Sequence, residues 1–325
     1  MPSFDATATS QEVVEAFKAQ VKGKTFVITG AGQPSIGSKM ATDLAKGSPA
    51  HILIASRTKS KVDPVLAAIN ETDSSIKTTF VQVDLSDHES VRRAANEILA
   101  AAPKIHVLIN SAGNMALKEY QVDKQGIELQ LSANHVGHFL LTNLLTPALI
   151  AAASTSGANS RVVNLTSSGY KITKFRFDDY NFSDGKEYDP WTGYGQAKAA
   201  NVLFSYGLTQ RLKTKGVISF AAHPGYNGDT MLGAHVAYED YGAIPAIVLR
   251  NMGKPFEFEE PRFKTYDQIA ATSLIAALDP ELEDKAPAFL MNSVVSEPEG
   301  HVTDPEAVEG LWKLSERLVG EGFEY

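Results

Sequence analysis

The chain has 325 residues, a formal net charge of -8, 43% hydrophobic and 21% charged residues, and no cysteine. That balance is ordinary for a globular protein. It excludes disulfides, thiolate metal sites and cysteine nucleophiles, and an acidic chain without a basic run argues against nucleic acid as a partner. The first 20 residues carry acids and lack the apolar run of a secretory signal. No run approaches the roughly 18–20 apolar residues of a membrane span. The expected setting is therefore cytoplasmic.

Residues 11–22 have the period of a short amphipathic helix, so 1–22 is expected to be a helical extension ahead of one domain over 23–325. "TFVIT" (25–29) reads as a buried strand and 36–46 as a helix. "HILIAS" (51–56) is a second strand, and 59–70 is a helix with Pro64 near its start, where proline is tolerated. "TTFVQVDL" (78–85) is a third strand. A helix over 87–101 follows, with Ser86 or Asp87 as cap. "IHVLIN" (105–110) is a fourth strand, ahead of a long helix over 124–152. "SRVVNLTS" (160–167), a helix over 190–214 and "VISFAAHP" (217–224) come next. Residues 226–262 have weak periodicity and much Gly, Pro and aromatic content, and read as a substrate-covering insertion. A helix over 264–279, a seventh strand "AFLMN" (288–292) and a helix over 304–319 complete the chain. Strands apolar throughout, alternating with helices, predict an α/β fold: a doubly wound, seven-stranded parallel sheet with helices on both faces.

"TGAGQPSIG" (29–37) lies where a glycine-rich turn hands a phosphate to a helix N-terminus, which marks the fold as Rossmann-type. Gly30 suits the tight turn and Gly37 close packing of helix on strand. Gly32 also remains, but Ser35 stands where a glycine is expected, and Pro34 belongs to a loop one residue longer than usual. Ser35 offers a hydroxyl to phosphate in place of bare backbone. The second strand ends "IASRT", with Ser56 where an NAD-preferring protein places an acid. Arg57 follows; a guanidinium binds a 2′-phosphate that a carboxylate would repel, so NADP(H) is the expected cofactor, with Thr58 or Lys59 assisting. Tyr194 and Lys198 are four apart, on one face of a helix. A phenol has a reference pKa of about 10, and a nearby ammonium lowers it, so the pair suits acid/base catalysis between a carbonyl and an alcohol. Ser167 ends the fifth strand and "NSAG" (110–113) the fourth, both at the edge where a parallel sheet holds its ligand.

Together these motifs resemble the short-chain dehydrogenase/reductase family, over roughly residues 20–320. "SANHVGHFLLTNLL", "RVVNLTSSGY", "YGQAKAANVLF" and "KTYDQIAATSLIAALDPELE" are closest to its retinol dehydrogenase-like branch. The resemblance implies a catalytic set of Asn134, Ser167, Tyr194 and Lys198. Tyr194 would exchange the proton, Ser167 orient the substrate oxygen, Lys198 bind the nicotinamide ribose, and Asn134 hold a relay water. Ser168 is the alternative to Ser167. It also implies cofactor contacts from Ile36, Asp84, Leu85, Asn110, Ala112, Gly113, Pro224, Gly225 and Thr230, beside Gly30, Gly32, Ser35, Gly37, Ser56, Arg57, Tyr194 and Lys198. A serine followed by Ile36 also occurs in enoyl reductases of the family. Those space their tyrosine and lysine more widely, which favours carbonyl chemistry here.

The expected activity is an NADP(H)-dependent oxidoreductase acting on a small, mostly apolar carbonyl or alcohol, without a metal. The alternative is a non-enzymatic NADP(H)-binding regulator or scaffold. His135, His138 and His223 are read as structural, since Tyr194 fills the acid/base role. Tyr226, Met231, Tyr238, Tyr241 and Phe256 are candidates to line the substrate pocket. Helices 124–152 and 190–214 are the expected surfaces of a homodimer or homotetramer.

Overall fold

The computed structural model describes residues 3–325. The chain runs through α1 (Ser10–Ala16), α2 (Lys18–Val21), β1 (Thr25–Thr29), α3 (Ile36–Ala45), β2 (His51–Ser56), α4 (Lys59–Thr72), β3 (Lys77–Gln82), α5 (His88–Ala101) and β4 (Val107–Asn110). It continues through α6 (Leu129–Leu131), a π-helical turn over Ser132–Val136, α7 (Gly137–Ser156), β5 (Ser160–Leu165), α8 (Pro190–Leu212) and β6 (Val217–His223). Then come α9 (Ile244–Met252), α10 (Ala271–Leu278), β7 (Ala288–Met291), β8 (Val294–Ser296) and α11 (Pro305–Val319).

The sheet has the order β3-β2-β1-β4-β5-β6-β7-β8, and β1 through β7 are parallel. The seven predicted strands are all present. β8, an antiparallel edge strand on β7, is an addition to them. Strand order reverses between β1 and β4, so a ligand crevice forms beyond their C-terminal ends. Side chains alternate across the sheet as the two-residue period requires. Val27, Leu53, Leu108 and Val162 enter the layer packed by α5, α7, α8 and α11. Phe26, Ile28, Ile52, Ile54 and Ile109 enter the layer packed by α1, α3, α4 and α10.

Several elements differ from the sequence reading. The extension joins the core: Val13, Val14, Phe17 and Val21 are buried in the second layer, and Ser10 donates to Asp43 at 2.5 Å. The helix expected over 124–152 starts at Leu129, because Val122 bridges Glu128 and folds the residues between them into a turn. The stretch Leu129–Ser156 is long and apolar enough to cross a membrane, which corrects the expectation that no run approaches that size. Its apolar window is 78% buried within the fold, as a core helix requires. The helix expected from 264 begins at Ala271, since Lys264 instead pairs with Tyr226 backbone.

Part of α7 and α8 is packed by α11 of the same chain. Phe204 of α8 and Phe139 of α7 pack on Trp312 of α11, and Arg211 pairs with Glu309 at 2.5 Å. Gly207 lets α11 approach so closely that a Cβ there would lie 3.3 Å from both Trp312 and Val308.

Candidate active site

The glycine turn after β1 is shaped by Gly30, whose φ is +70° and whose Cα lies against Ala112. A Cβ at Gly30 would sit 2.5 Å from the Ala112 Cα, so both the conformation and the space demand glycine. Ser35 is the N-cap of α3. Its hydroxyl accepts from Ser38 N at 3.0 Å and donates to Gly30 O at 3.0 Å, while Ser38 Oγ accepts from Ser35 N. Tyr266 donates to Ser35 O at 2.8 Å. The serine thus stitches the longer loop to its own helix; its hydroxyl bonds lie inside the loop. Gly32 packs against Lys61 at the start of α4. The first turn of α3 holds no acid, so its N-terminus suits an anion.

Ser56 closes β2, and Arg57 follows it on the surface. Among the described residues Arg57 makes no ion pair, whereas Lys59 is paired with Asp63. Thr58 caps α4 without a side-chain bond. Asp84 accepts from Ser86 N and Oγ at 3.0 and 2.7 Å, and Leu85 is buried against Gly137. These residues lie outside the main cavity.

Ile36, Gly113, Ser167, Tyr194, Lys198, Pro224, Gly225 and Thr230 all line one cavity. Tyr194 and Lys198 project from the same face of α8, with Lys198 Nζ 5.6 Å from the Tyr194 ring centroid. Both are 5% exposed. Lys198 Nζ donates to Leu165 O at 3.2 Å, and burial pulls its pKa down to about 8. Burial pushes the Tyr194 phenol up to about 12, against the downward pull of Ser167. The direction is opposite to the lowering expected from the ammonium: desolvation of the phenolate sets it. Ser167, expected to end the strand, lies two residues past β5 and caps the next turn, accepting from Gly169 N at 3.0 Å. Ser168 instead uses its backbone N–H, which donates to His223 Nδ1 at 3.2 Å.

Asn110 and Asn134 lie behind the cavity wall. Asn110 donates to Thr142 and Asn164 at 2.9 and 2.8 Å, which ties β4 to α7 and β5. Asn134 sits in the π turn, a distortion frequent at functional sites. Its amide oxygen accepts from Asn114 N at 2.9 Å and its nitrogen donates to Asn114 O at 3.1 Å. Two further residues set this wall. His138 Nδ1 bonds Asn134 O at 2.9 Å; a carbonyl only accepts, so Nδ1 carries the proton. Nε2 then accepts from Thr29 Oγ1 at 2.8 Å, and the same hydroxyl accepts from Ser111 N and Ala112 N. Burial, which pushes His138 down to about 4, keeps it in this neutral form. Thr29 carries no sequence signal beyond ending a strand.

The cavity's other wall is aromatic. Tyr226, Tyr238, Tyr241 and Phe256 line it as expected, together with Trp191, Phe258 and Phe263; Met231 does not. Glu259 reaches back from this wall to His223 Nε2. Nothing in the sequence links these two residues, 36 apart.

Fold and constellation define a dinucleotide-binding α/β protein with a tyrosine–lysine pair at the sheet's ligand edge. A family model described as short chain dehydrogenase matches residues 24–239. Retinol dehydrogenase 12 of Mus musculus is 34% identical over 301 residues, covering 93% of this chain and 88% of the relative. Oxidoreductase fscI of Fusarium equiseti is 32% identical over 244 residues, covering 68% and 94%. A crystal structure of 3-ketoacyl-(acyl-carrier-protein) reductase from Brucella melitensis complexed with NADH shares the fold, with a TM-score of 0.58 at 22% identity, covering 81% and 93%. The chain belongs to the short chain dehydrogenase family, and with it to the oxidoreductases that use nicotinamide cofactors.

Proposed function

We propose that the protein is an NADP(H)-dependent oxidoreductase that interconverts a carbonyl and an alcohol on a small, mostly apolar substrate. The observation that carries this reading is the buried Tyr194–Lys198 pair, which opens with Ser167 into an aromatic cavity beside the glycine turn. The residues present fit the cofactor. Gly30 and Gly113 leave backbone bare where a Cβ would collide with Ala112 and Asn134, and the α3 N-terminus is free of acid. Gly30, Gly32, Ser35, Ile36 and Gly37 would face the pyrophosphate, and Asp84 and Leu85 the adenine. Ser56 and Arg57 would hold the 2′-phosphate, which suits a guanidinium without a carboxylate partner. Asn110, Ala112, Gly113, Pro224, Gly225 and Thr230 would border the nicotinamide end. When bound, that ring supplies or accepts the hydride.

Tyr194 has its proton at neutral pH, because burial holds its pKa near 12. In the reductive direction it donates that proton from Oη to the substrate oxygen, which Ser167 orients. Lys198, at about 8, is cationic at neutral pH and stabilises the phenolate as the proton leaves. A relay water would sit at the π turn beside Asn134, whose backbone carbonyl is already bonded by His138.

Tyr194→Phe tests the assignment. Its kcat should fall roughly 10²- to 10⁴-fold, the usual contribution of a general acid, with NADPH affinity unchanged. Undiminished turnover would refute the role of Tyr194.

A further inference from the structure

Two polar atoms in the cavity have no place in the chemistry above. Glu259 Oε2 and the Tyr241 hydroxyl are both buried and without a well-formed hydrogen bond among the described residues, with only the Tyr226 side chain near the latter, and both residues line the cavity that Tyr194 lines. Buried polar atoms are bonded in the great majority of cases, so a pair left free on one cavity wall calls for a partner.

The bonding around Glu259 fixes what that partner must be. His223 Nδ1 accepts from Ser168 N, so its proton is on Nε2, and Glu259 Oε1 accepts it. Burial raises the Glu259 pKa, but His223, with Lys171 and Lys264 farther off, brings it below the ordinary value. Neither lysine forms an ion pair with it among the described residues. The side chain is thus an ionised carboxylate, a group that only accepts, with one oxygen spoken for and one free. Tyr241 lies between Trp191 and Tyr226, at ring separations of 4.9 and 5.4 Å, which fixes its plane. Its hydroxyl can serve a neighbouring polar group as donor or acceptor.

We infer that the substrate carries a hydroxyl donor on a cyclic, planar frame away from the reacting carbon, and that Glu259 and Tyr241 select it. The aromatic wall takes the frame, the carboxylate takes the hydroxyl proton, and Tyr241 bonds the hydroxyl oxygen. This deepens the carbonyl–alcohol reading of the site and rests on it. Glu259 and Tyr241 are specificity-determining residues; the proton chemistry stays with Tyr194.

The experiment measures binding separately from turnover. The probes are α-tetralone, its ring-hydroxylated derivatives and the corresponding methyl ethers, followed by quenching of tryptophan emission. Trp191 lines the cavity, and Trp312, the second of two tryptophans, is buried on α11 against Phe139, so the Trp312→Phe background isolates the signal. One hydroxylated isomer should bind at least about tenfold more tightly than its methyl ether and the parent, the scale of a hydrogen bond to a charged group. Glu259→Gln keeps an acceptor for His223 but turns the free oxygen into a donor. It should reduce that advantage to under about threefold and leave the parent ketone's Kd unchanged; Tyr241→Phe should reduce it in part. Equal binding of hydroxylated and parent ketones by the wild type overturns the inference, as does no binding by any probe. So does an equal loss for all probes in both variants, which would mark a structural role. Turnover with NADPH is recorded in parallel. Selective binding without turnover would count against the carbonyl–alcohol reading and leave the selection by Glu259 standing.

Discussion

The wall built by β1, β4 and the π turn is stitched by buried hydrogen bonds, whereas the wall built by residues 226–263 packs ring against ring. Thr29 alone takes two backbone N–H groups and His138, and Asn134 clamps Asn114 from both sides of its amide. On the opposite wall Tyr226 packs on Phe263 at 5.4 Å, Phe256 on Phe258 at 5.1 Å, and Arg262 over Phe258 at 4.5 Å. Phe263 and Tyr238 remain 54% and 63% exposed. Directional bonds fix one geometry, while aromatic contacts tolerate small shifts at low cost. A cofactor common to a family suits the first kind of wall and a particular substrate the second.

Substitutions can break this contrast, and the largest effect is expected at the glycine turn. Gly30→Val combines an unfavourable φ with a Cβ 2.5 Å from Ala112. It should cost roughly 3–5 kcal/mol in denaturant unfolding and abolish NADPH binding. Thr29→Val keeps the shape but strips the partner from Ser111 N, Ala112 N and His138 Nε2. A loss of about 2–3 kcal/mol is expected, since buried donors are left unpaired. If Thr29→Val were neutral by the same unfolding measurement, the stitched wall would not be the source of rigidity.

The pH dependence sharpens the contrast on the catalytic side. Lys198 is cationic below its pKa of about 8 and neutral above it. The rate of carbonyl reduction at saturating NADPH should therefore fall as pH rises through about 8, in a stopped-flow or steady-state profile. Lys198→Arg, charged throughout, should remove that limb while lowering the plateau. The smallest effect belongs to the aromatic wall: Phe263→Ala should change stability by under about 0.5 kcal/mol, as an exposed side chain does. Hydrogen exchange should be fastest over 226–263 and slowest in β1, β4 and β5.

What the sequence made legible follows the same division. The seven parallel strands were readable because each carries a short apolar stretch between helix patterns, weakest in the half-exposed β3, and the tyrosine–lysine pair because helix spacing alone places both on one face. β8 was not: its Val294 and Val295 are 47% and 42% exposed, and a short, half-exposed edge strand has no buried pattern to read. The π turn hides because the helix that follows it is buried on nearly every side, so the register shift from one extra residue breaks no visible pattern. Thr29 and the His223–Glu259 pair depend on side chains brought together by topology. The direction of the Tyr194 shift was misjudged because charge proximity can be read from spacing, but burial at the centre of a fold cannot.

The most direct test of the account is a fluorescence titration of the purified protein with NADPH and, separately, NADH. The account predicts NADPH binding roughly 10- to 100-fold tighter, the scale of charge-assisted bonds to one phosphate, with the preference lost in Arg57→Asp. Equal binding, or a preference for NADH, would contradict the assignment of Arg57 and the NADP(H) reading. Binding of neither would contradict the cofactor site itself.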